Sequence, residues 1–403
     1  MNRSDFTHQR VIRKKSGEHQ RYASGFSYQK DSGYFAQIAD NLIDEGVKEL
    51  ENLGADRIDP CHSGIHFHAE KAAFYRINYM TRLVSRILAP LHTFPCPDSD
   101  TLYRSAKKIR WSNLMTLKKS FSIVSNVSNS NIDHSHFAGL RLKDAIVDHF
   151  RELTGRRPNV DTLKPQIIIN LHIRENIADV SVDASGGSLH KRGYREESVS
   201  APMQENLAAA VIRYSGWDGS VPIYDPMCGS GTLLCEALML NCMIPAGIFR
   251  EKFGFEMLPD HNPDIWHQVK KEADSNVRPP GPGSISGSDI SETSVNASRT
   301  NLMGIHHGGD VTVTKTAFQD IVSIENSIIV ANPPYGIRMG RDQDMQRLHA
   351  DFGDFLKQRC RGSQAYIYFG DPDHIKSMGL KPSWKIPMKA GGLDGRLVKY
   401  ELY

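Results

Sequence analysis

The sequence predicts an α/β protein in two parts, an α+β half followed by a doubly wound, mostly parallel sheet with a final antiparallel hairpin. Three observations carry this expectation. Residues 221–331 alternate short apolar runs with helical spacing in a β-α-β-α-β order. Two loops of unusual chemistry, Asp225 to Thr232 and Asn332 to Gly336, each follow such a run and therefore sit at strand ends. Residues 33–187 mix helical and strand patterns without that repetition.

Length and composition bound the answer without deciding it. The 403 residues are enough for two or three domains, each with its own core. A formal charge of +3 permits a nucleic-acid partner without requiring one. No apolar run approaches the length needed to cross a bilayer, so a soluble protein is expected. The six cysteines form no Cys-x-x-Cys pair, which points to a reducing compartment, the cytoplasm.

Residues 1–32 are polar and mostly basic, with Arg10, Arg13, Lys14, Lys15 and Arg21, and read as a flexible tail. Helical spacing runs from Ile38 to Leu53 and stops at Gly54. Cys61-His62 and Gly64-Ile65-His66-Phe67-His68 resemble a metal cluster, but alternation makes residues 64–68 a strand with both histidines on its outer face. No second ligand group has a zinc-site spacing, so no metal is expected. A helix is predicted over 69–87, a connector over Pro90–Pro97 and a strand over Phe121–Val127. A helix through Leu140, Ile146 and Phe150 closes at Gly155. The runs 166–173 and 177–182, joined through Arg174-Glu175-Asn176, form a hairpin. Arg151, Arg156, Arg157 and Lys164 cluster near that helix end, as a phosphate grip or as a solvated terminus.

The basic segment Ser188 to Arg195, with Tyr194 inside it, reads as an interdomain strap that touches RNA. Pro202 suits the first turn of the next helix. Val221–Tyr224 is a strand, and the glycines of the following turn let a ligand approach the backbone at a helix amino end. The turn lacks both the Gly-x-Gly-x-x-Gly spacing and the P-loop lysine, so neither NAD nor ATP is favoured. Asp289 ends the next strand, well beyond the usual interval of about twenty residues. An insertion over 249–283, containing Trp266 and a Pro/Gly-rich exit, explains the gap. Cys228, Cys235 and Cys242 repeat one helix face and read as small core residues.

Asn332-Pro333-Pro334-Tyr335-Gly336 follows the apolar run 327–331. Successive prolines stiffen the loop and leave its carbonyls free, and Asn332 adds another acceptor. Acceptors of this kind suit the exocyclic amine of a nucleobase, and Tyr335 offers a face for stacking. An ordinary proline turn is the plain alternative.

With both loops on strand ends, the chain resembles the class I (Rossmann-like) S-adenosylmethionine-dependent methyltransferases of exocyclic amines. More narrowly, it resembles the THUMP-domain family of large-subunit ribosomal RNA guanine-N2 methyltransferases. The likeness runs from about Tyr34 to the C-terminus, on Arg157 to Asp161, Leu189 to Arg195, Asp225 to Thr232, Gly287 to Asp289 and Asn332 to Gly336. It implies an RNA-capturing ferredoxin-like unit and THUMP domain over 33–187, THUMP from about 76, and a methyltransferase domain over 188–403. By position, Asp225, Met227, Cys228, Gly229, Gly231 and Thr232 would hold S-adenosyl-L-methionine, and Asp289 its ribose. An acid near the adenine has only Thr316 as its nearest counterpart, with Asp320 slightly later. Asn332 and the Pro333 carbonyl would hold the amine, with Pro334 stiffening the loop and Tyr335 stacking on the base. Arg157, Lys191, Arg192, Tyr194 and Arg195 would contact ribosomal RNA. Two rivals stay open: an adenine-N6 methyltransferase acting on RNA or DNA, and a non-catalytic RNA-binding assembly factor.

Overall fold

The computed structural model describes residues 25–198, 202–334, 342–389 and 394–403. In the first half the chain runs α1 (Ser27–Asp31), β1 (Gly33–Gln37), α2 (Ile43–Asn52), β2 (Asp56–Cys61), β3 (Gly64–His68), α3 (Lys71–Met80) and β4 (Arg86–Pro95). It continues through α4 (Ser99–Lys107), α5 (Trp111–Leu114), β5 (Ser120–Ser128), α6 (Ser135–Thr154), β6 (Asn159–Val160), β7 (Ile167–Arg174) and β8 (Ile177–Asp183). All eight strands join one sheet in the order β2-β3-β1-β4-β8-β7-β5-β6. Local chemistry explains several boundaries. Gly155 ends α6 in the left-handed conformation, with its N–H bonded to the Arg151 carbonyl. Glu175 and Asn176 both have positive φ, the condition for the type I′ turn that joins β7 to β8.

Three expectations for this half are corrected. Residues 25–32 are not tail: Phe26 and Tyr28 are buried, the Phe26 N–H donates to Gln29 Oε1 at 2.9 Å, and Tyr28 Oη donates to Asp260 at 2.6 Å. Residues 1–24 lie outside the described residues. The helix predicted over 69–87 stops at Met80. The predicted Pro90–Pro97 connector is largely β4, a central strand, because the ladder to β8 shifts register between Pro90 and His92 and so tolerates a residue without an N–H.

The second half runs α7 (Glu205–Ser215), β9 (Ile223–Asp225), α8 (Thr232–Asn241), α9 (Pro263–Ser275), β10 (Ile285–Asp289), α10 (Glu292–Met303) and β11 (Thr312–Lys315). It ends with β12 (Ile328–Ala331), α11 (Asp342–Arg359), β13 (Gln364–Phe369), β14 (Trp384–Pro387) and β15 (Arg396–Glu401). The strand order is β11-β10-β9-β12-β13-β15-β14, parallel from β11 to β13, with β14 and β15 antiparallel as expected. Pro202 precedes α7 rather than opening it. After β9 the chain winds outward through β10 and β11, then returns to place β12 on β9's other side. The carboxyl ends of β9 and β12 therefore flank a topological switch point, where such sheets leave a crevice.

The halves share buried contacts. The insertion carries α9 onto α3, where the Trp266 ring meets Tyr79 at 5.3 Å and Phe255 at 5.2 Å between centroids. Deeper, the fully buried Glu236 of α8 accepts from Arg192 Nε at 3.3 Å and from Tyr194 Oη at 3.3 Å. Arg192 also donates to the carbonyls of Leu189 at 2.8 Å and Arg82 at 2.6 Å. Arg82 Nη1 lies 3.9 Å from Glu236, while Arg82 Nη2 reaches the carbonyls of Met239 and Ile244. Burial pulls the Arg82 guanidinium down to about 10, with Glu236 opposing that shift. Removing one partner of a buried pair strands the other. Arg192→Ala should therefore cost about 3–5 kcal/mol, read from the urea midpoint. An effect below about 1 kcal/mol, the range of exposed pairs, would show the network to be solvated.

Candidate active site

The site grows from the ends of β9, β10 and β12. Between β9 and α8 the chain turns through Gly229 and Gly231, both at positive φ. Gly231 also faces Ser298 so closely that an added Cβ would lie 2.3 Å from its hydroxyl oxygen. The turn is fixed from inside by the Gly231 N–H to the Cys228 carbonyl at 2.8 Å, and from β10 by the Cys228 N–H to the Ser288 carbonyl at 3.0 Å. Asp289 accepts from the Gly229 N–H and the Ser291 N–H, each at 2.9 Å, one on each carboxylate oxygen. Each oxygen keeps acceptor capacity for a ligand.

These elements enclose a cavity of about 570 Å³, within the range of small-ligand sites. Asp225, Met227, Cys228, Gly229, Thr232, Asp289, Asn332, Pro333 and Pro334 all line it. Gly231 does not; it shapes the turn behind the wall. Asp320 is exposed and Thr316 is half-buried, and neither is on the wall, where Ala317, Phe318 and Gln319 stand instead. Tyr335 lies outside the described residues. The sequence reading missed Met203, Ile290, Ser294 and Leu348, which also line the cavity. Ile290 carried a signal, being apolar directly after Asp289, and it is 72 % exposed in a molecule whose other isoleucines are mostly buried. Leu348 carried none, since it arrives from α11 by tertiary packing alone.

At the end of β12 the Asn332 side-chain oxygen is buried and has no hydrogen-bond partner among the described residues. An unpaired buried acceptor costs free energy unless a ligand satisfies it. The two prolines after it offer carbonyls and no N–H.

The expected RNA contacts divide. Arg157 is exposed and lines a second cavity of about 620 Å³ with Arg141, Lys143 and Arg151. Lys191 is exposed. Arg192 is 1 % exposed and Tyr194 is buried, both bound to Glu236, so their RNA contact is corrected to a structural role. Arg195 is largely buried and pairs with Glu205 at 3.1 Å, so it too belongs to the interior. Among the described residues no group of His, Cys, Asp or Glu could hold a metal ion, and no helix is long and apolar enough to cross a membrane.

Burial pushes the Asp225 carboxyl up to about 8, against the Met227 N–H, with the Asp289 charge adding to the rise. Between its unfolded value of about 4 and that folded value, the native state holds a proton that the unfolded chain has released, so stability falls as pH rises. Asp225→Asn removes this dependence. Without ligand, the melting temperature of Asp225→Asn relative to the parent should climb from pH 5 to pH 8 and level off above it. Parallel melting curves across that range would show Asp225 to be solvated.

Comparison with known proteins matches this architecture. The RMKL-like methyltransferase domain matches residues 192–399, the THUMP domain residues 96–183, and the RlmL ferredoxin-like domain residues 47–88. A Synechocystis sp. protein named as an RNA methyltransferase is 38 % identical over 371 residues, 92 % of this chain and 97 % of that one. A Syntrophotalea carbinolica protein named ribosomal RNA large subunit methyltransferase K/L is 34 % identical over 366 residues, 88 % of this chain and 51 % of that one. The chain thus spans about half the length of the K/L relatives. Among solved structures, the methyltransferase SMU.472 complexed with SAH superposes with a TM-score of 0.81 at 27 % identity, covering 92 % of this chain and 98 % of that one. A Listeria monocytogenes protein titled as an N6-adenine-specific DNA methylase gives 0.81 at 25 %, covering 92 % and 96 %. With its methyltransferase domain matched over 192–399 and the ferredoxin-like and THUMP domains ahead of it, the chain belongs to the RMKL-like methyltransferase family.

Proposed function

We propose that this protein transfers the methyl group of S-adenosyl-L-methionine to the exocyclic N2 amine of a guanine in large-subunit ribosomal RNA. The observation that carries the reading is the Asn332 side-chain oxygen, a buried acceptor without a partner among the described residues, in the same cavity as Asp225 and Asp289. The cavity fits the donor: it has the volume of a nucleoside-sized ligand, an acid at each of two adjoining strand ends, and an exposed isoleucine beside Asp289 for an adenine face. When bound, the donor would supply a methyl group on a sulfonium, from which a neutral thioether leaves without further activation while the methylated amine gives up one N–H proton.

Every other task falls to the chain. Asp289 is oriented by two backbone N–H groups and accepts from ribose hydroxyls. Asp225, Met227, Cys228, Gly229 and Thr232 surround the methionine portion. Asn332 Oδ1 and the Pro333 carbonyl accept the two N–H groups of the amine, which turns the nitrogen lone pair toward the methyl. Tyr335 stacks on the base. Alignment of this kind is the main source of rate when the leaving group is already activated. RNA, rather than DNA, is supported by the THUMP domain and the names of the K/L relatives, and the guanine amine is the choice that the motif resemblance implies. The Listeria monocytogenes protein, named an N6-adenine-specific DNA methylase, keeps adenine N6 as the second reading, since the same acceptors suit either amine.

The test is transfer of labelled methyl to large-subunit RNA that lacks its modifications, followed by nucleoside analysis. The unaltered protein should place label in N2-methylguanosine. Asn332→Ala should lose on the order of 10²-fold in rate while still binding S-adenosylhomocysteine. Label in N6-methyladenosine would overturn the base assignment, and no label in any RNA would overturn the catalytic reading.

A further inference from the structure

We propose that Asn301 and Arg195 are positioning residues that set the affinity for the methyl donor by clamping Ser230; this rests on the donor occupying the cavity described above. Neither residue lines that cavity, and nothing in the sequence marked Asn301. The turn between β9 and α8 is held on one side by the fold itself, through the Cys228 and Gly229 N–H groups bound to β10. Ser230 lies between the two glycines of positive φ, and its carbonyl and hydroxyl oxygens are held by α10 and by the strap. Its carbonyl accepts from Asn301 Nδ2 at 2.9 Å, and its hydroxyl oxygen from Arg195 Nη1 at 3.2 Å.

Asn301 is fully buried in α10 and uses its whole hydrogen-bonding capacity. Besides Ser230, it donates to the Glu197 carbonyl at 2.9 Å and accepts from the Glu196 and Glu197 N–H groups at 2.9 and 3.0 Å. One amide thus ties the strap after Tyr194 to the cofactor turn. Arg195 adds a second tie, donating to Glu205 Oε1 at 3.1 Å and to the Met203 carbonyl at 3.0 Å. Met203 and Ser230 both line the cavity, so Arg195 fixes the spacing of two of its walls. Only an amide can accept from two backbone N–H groups and donate to two carbonyls at once. Alanine at 301 strands four backbone groups, and the turn is the part with glycines free to move.

The experiment uses the full chain and reads the dissociation constant of S-adenosylhomocysteine by calorimetry, with separate KM values for S-adenosylmethionine and RNA. Asn301→Ala and Arg195→Lys should each raise the S-adenosylhomocysteine dissociation constant and the S-adenosylmethionine KM by about tenfold or more, with the RNA KM unchanged. The control is Asn78→Ala, which removes another buried amide, bound to the Phe74 carbonyl and the Ser185 hydroxyl and without contact to the turn. It should lower the melting temperature and leave donor affinity alone. Unchanged affinity in folded Asn301→Ala, or an equal loss in Asn78→Ala, overturns the proposal. If Asn301→Ala does not fold, Arg195→Lys decides by the same criterion. Failure of the unaltered protein to bind S-adenosylhomocysteine would instead remove the donor reading itself.

Discussion

A carboxylate with no access to water, Glu236, fixes how this molecule is put together. A buried anion is tolerated only when its charge is matched and its lone pairs are filled. Here the matching groups come from different parts of the chain: Arg82 from the segment between α3 and β4, and Arg192 and Tyr194 from the strap. Near them, Glu49 accepts from Thr81 Oγ1, the Arg82 and Leu83 N–H groups and Arg213 of α7, which adds a second charged contact between the halves. Moving either half away would leave charges without partners. A single fixed arrangement of the two sheets follows, with an energetic reason behind it.

Glu236 also belongs to α8, the helix whose amino end carries the cofactor turn. Position and function are therefore joined on one element. The helix is anchored by its buried acid to the first half, and the turn that leads into it is bonded to β10 through the Cys228 and Gly229 N–H groups, so the turn inherits both constraints. The switch point then brings Asn332 from β12 to the same crevice. Nothing at that strand end needs to be chemically reactive. What the fold contributes is a stiff, proline-braced acceptor opposite a glycine turn, held by a sheet on one side and by a buried salt-bridge network on the other.

Much of this was legible in the sequence, and the exceptions have physical causes. The second half was readable because its strands are short apolar runs ended by loops with distinctive side chains, and Asp225, Asp289 and Asn332 do meet. β4 was not, because Pro90 argues against a central strand unless the register shift beside it is known. Residues 26 to 31 were read as tail because their anchors, Asp260 for Tyr28 above all, lie far along the chain. Arg192 and Tyr194 were read as an RNA-facing strap because a basic run is ordinarily solvated. The acid that makes their burial favourable is 44 residues away from Arg192, and no local pattern announces it. Asn301 was invisible for the same reason: its partners are backbone groups, which carry no sequence signal.

The long interval between the glycine turn and Asp289 shows how spacing in sequence and proximity in space separate. The residues between α8 and β10 leave the sheet, cover α3 with α9 and return, and β10 still pairs directly with β9. Loop-closure entropy rises only slowly with length, so an excursion of this size is cheap in itself. What it adds is the aromatic contact of Trp266 with Tyr79 and the hydrogen bond of Asp260 with Tyr28, both across the junction. The insertion thus lengthens the cofactor motif while bracing the two halves that Glu236 holds from within. A shorter connection would satisfy the motif spacing and leave α3 uncovered.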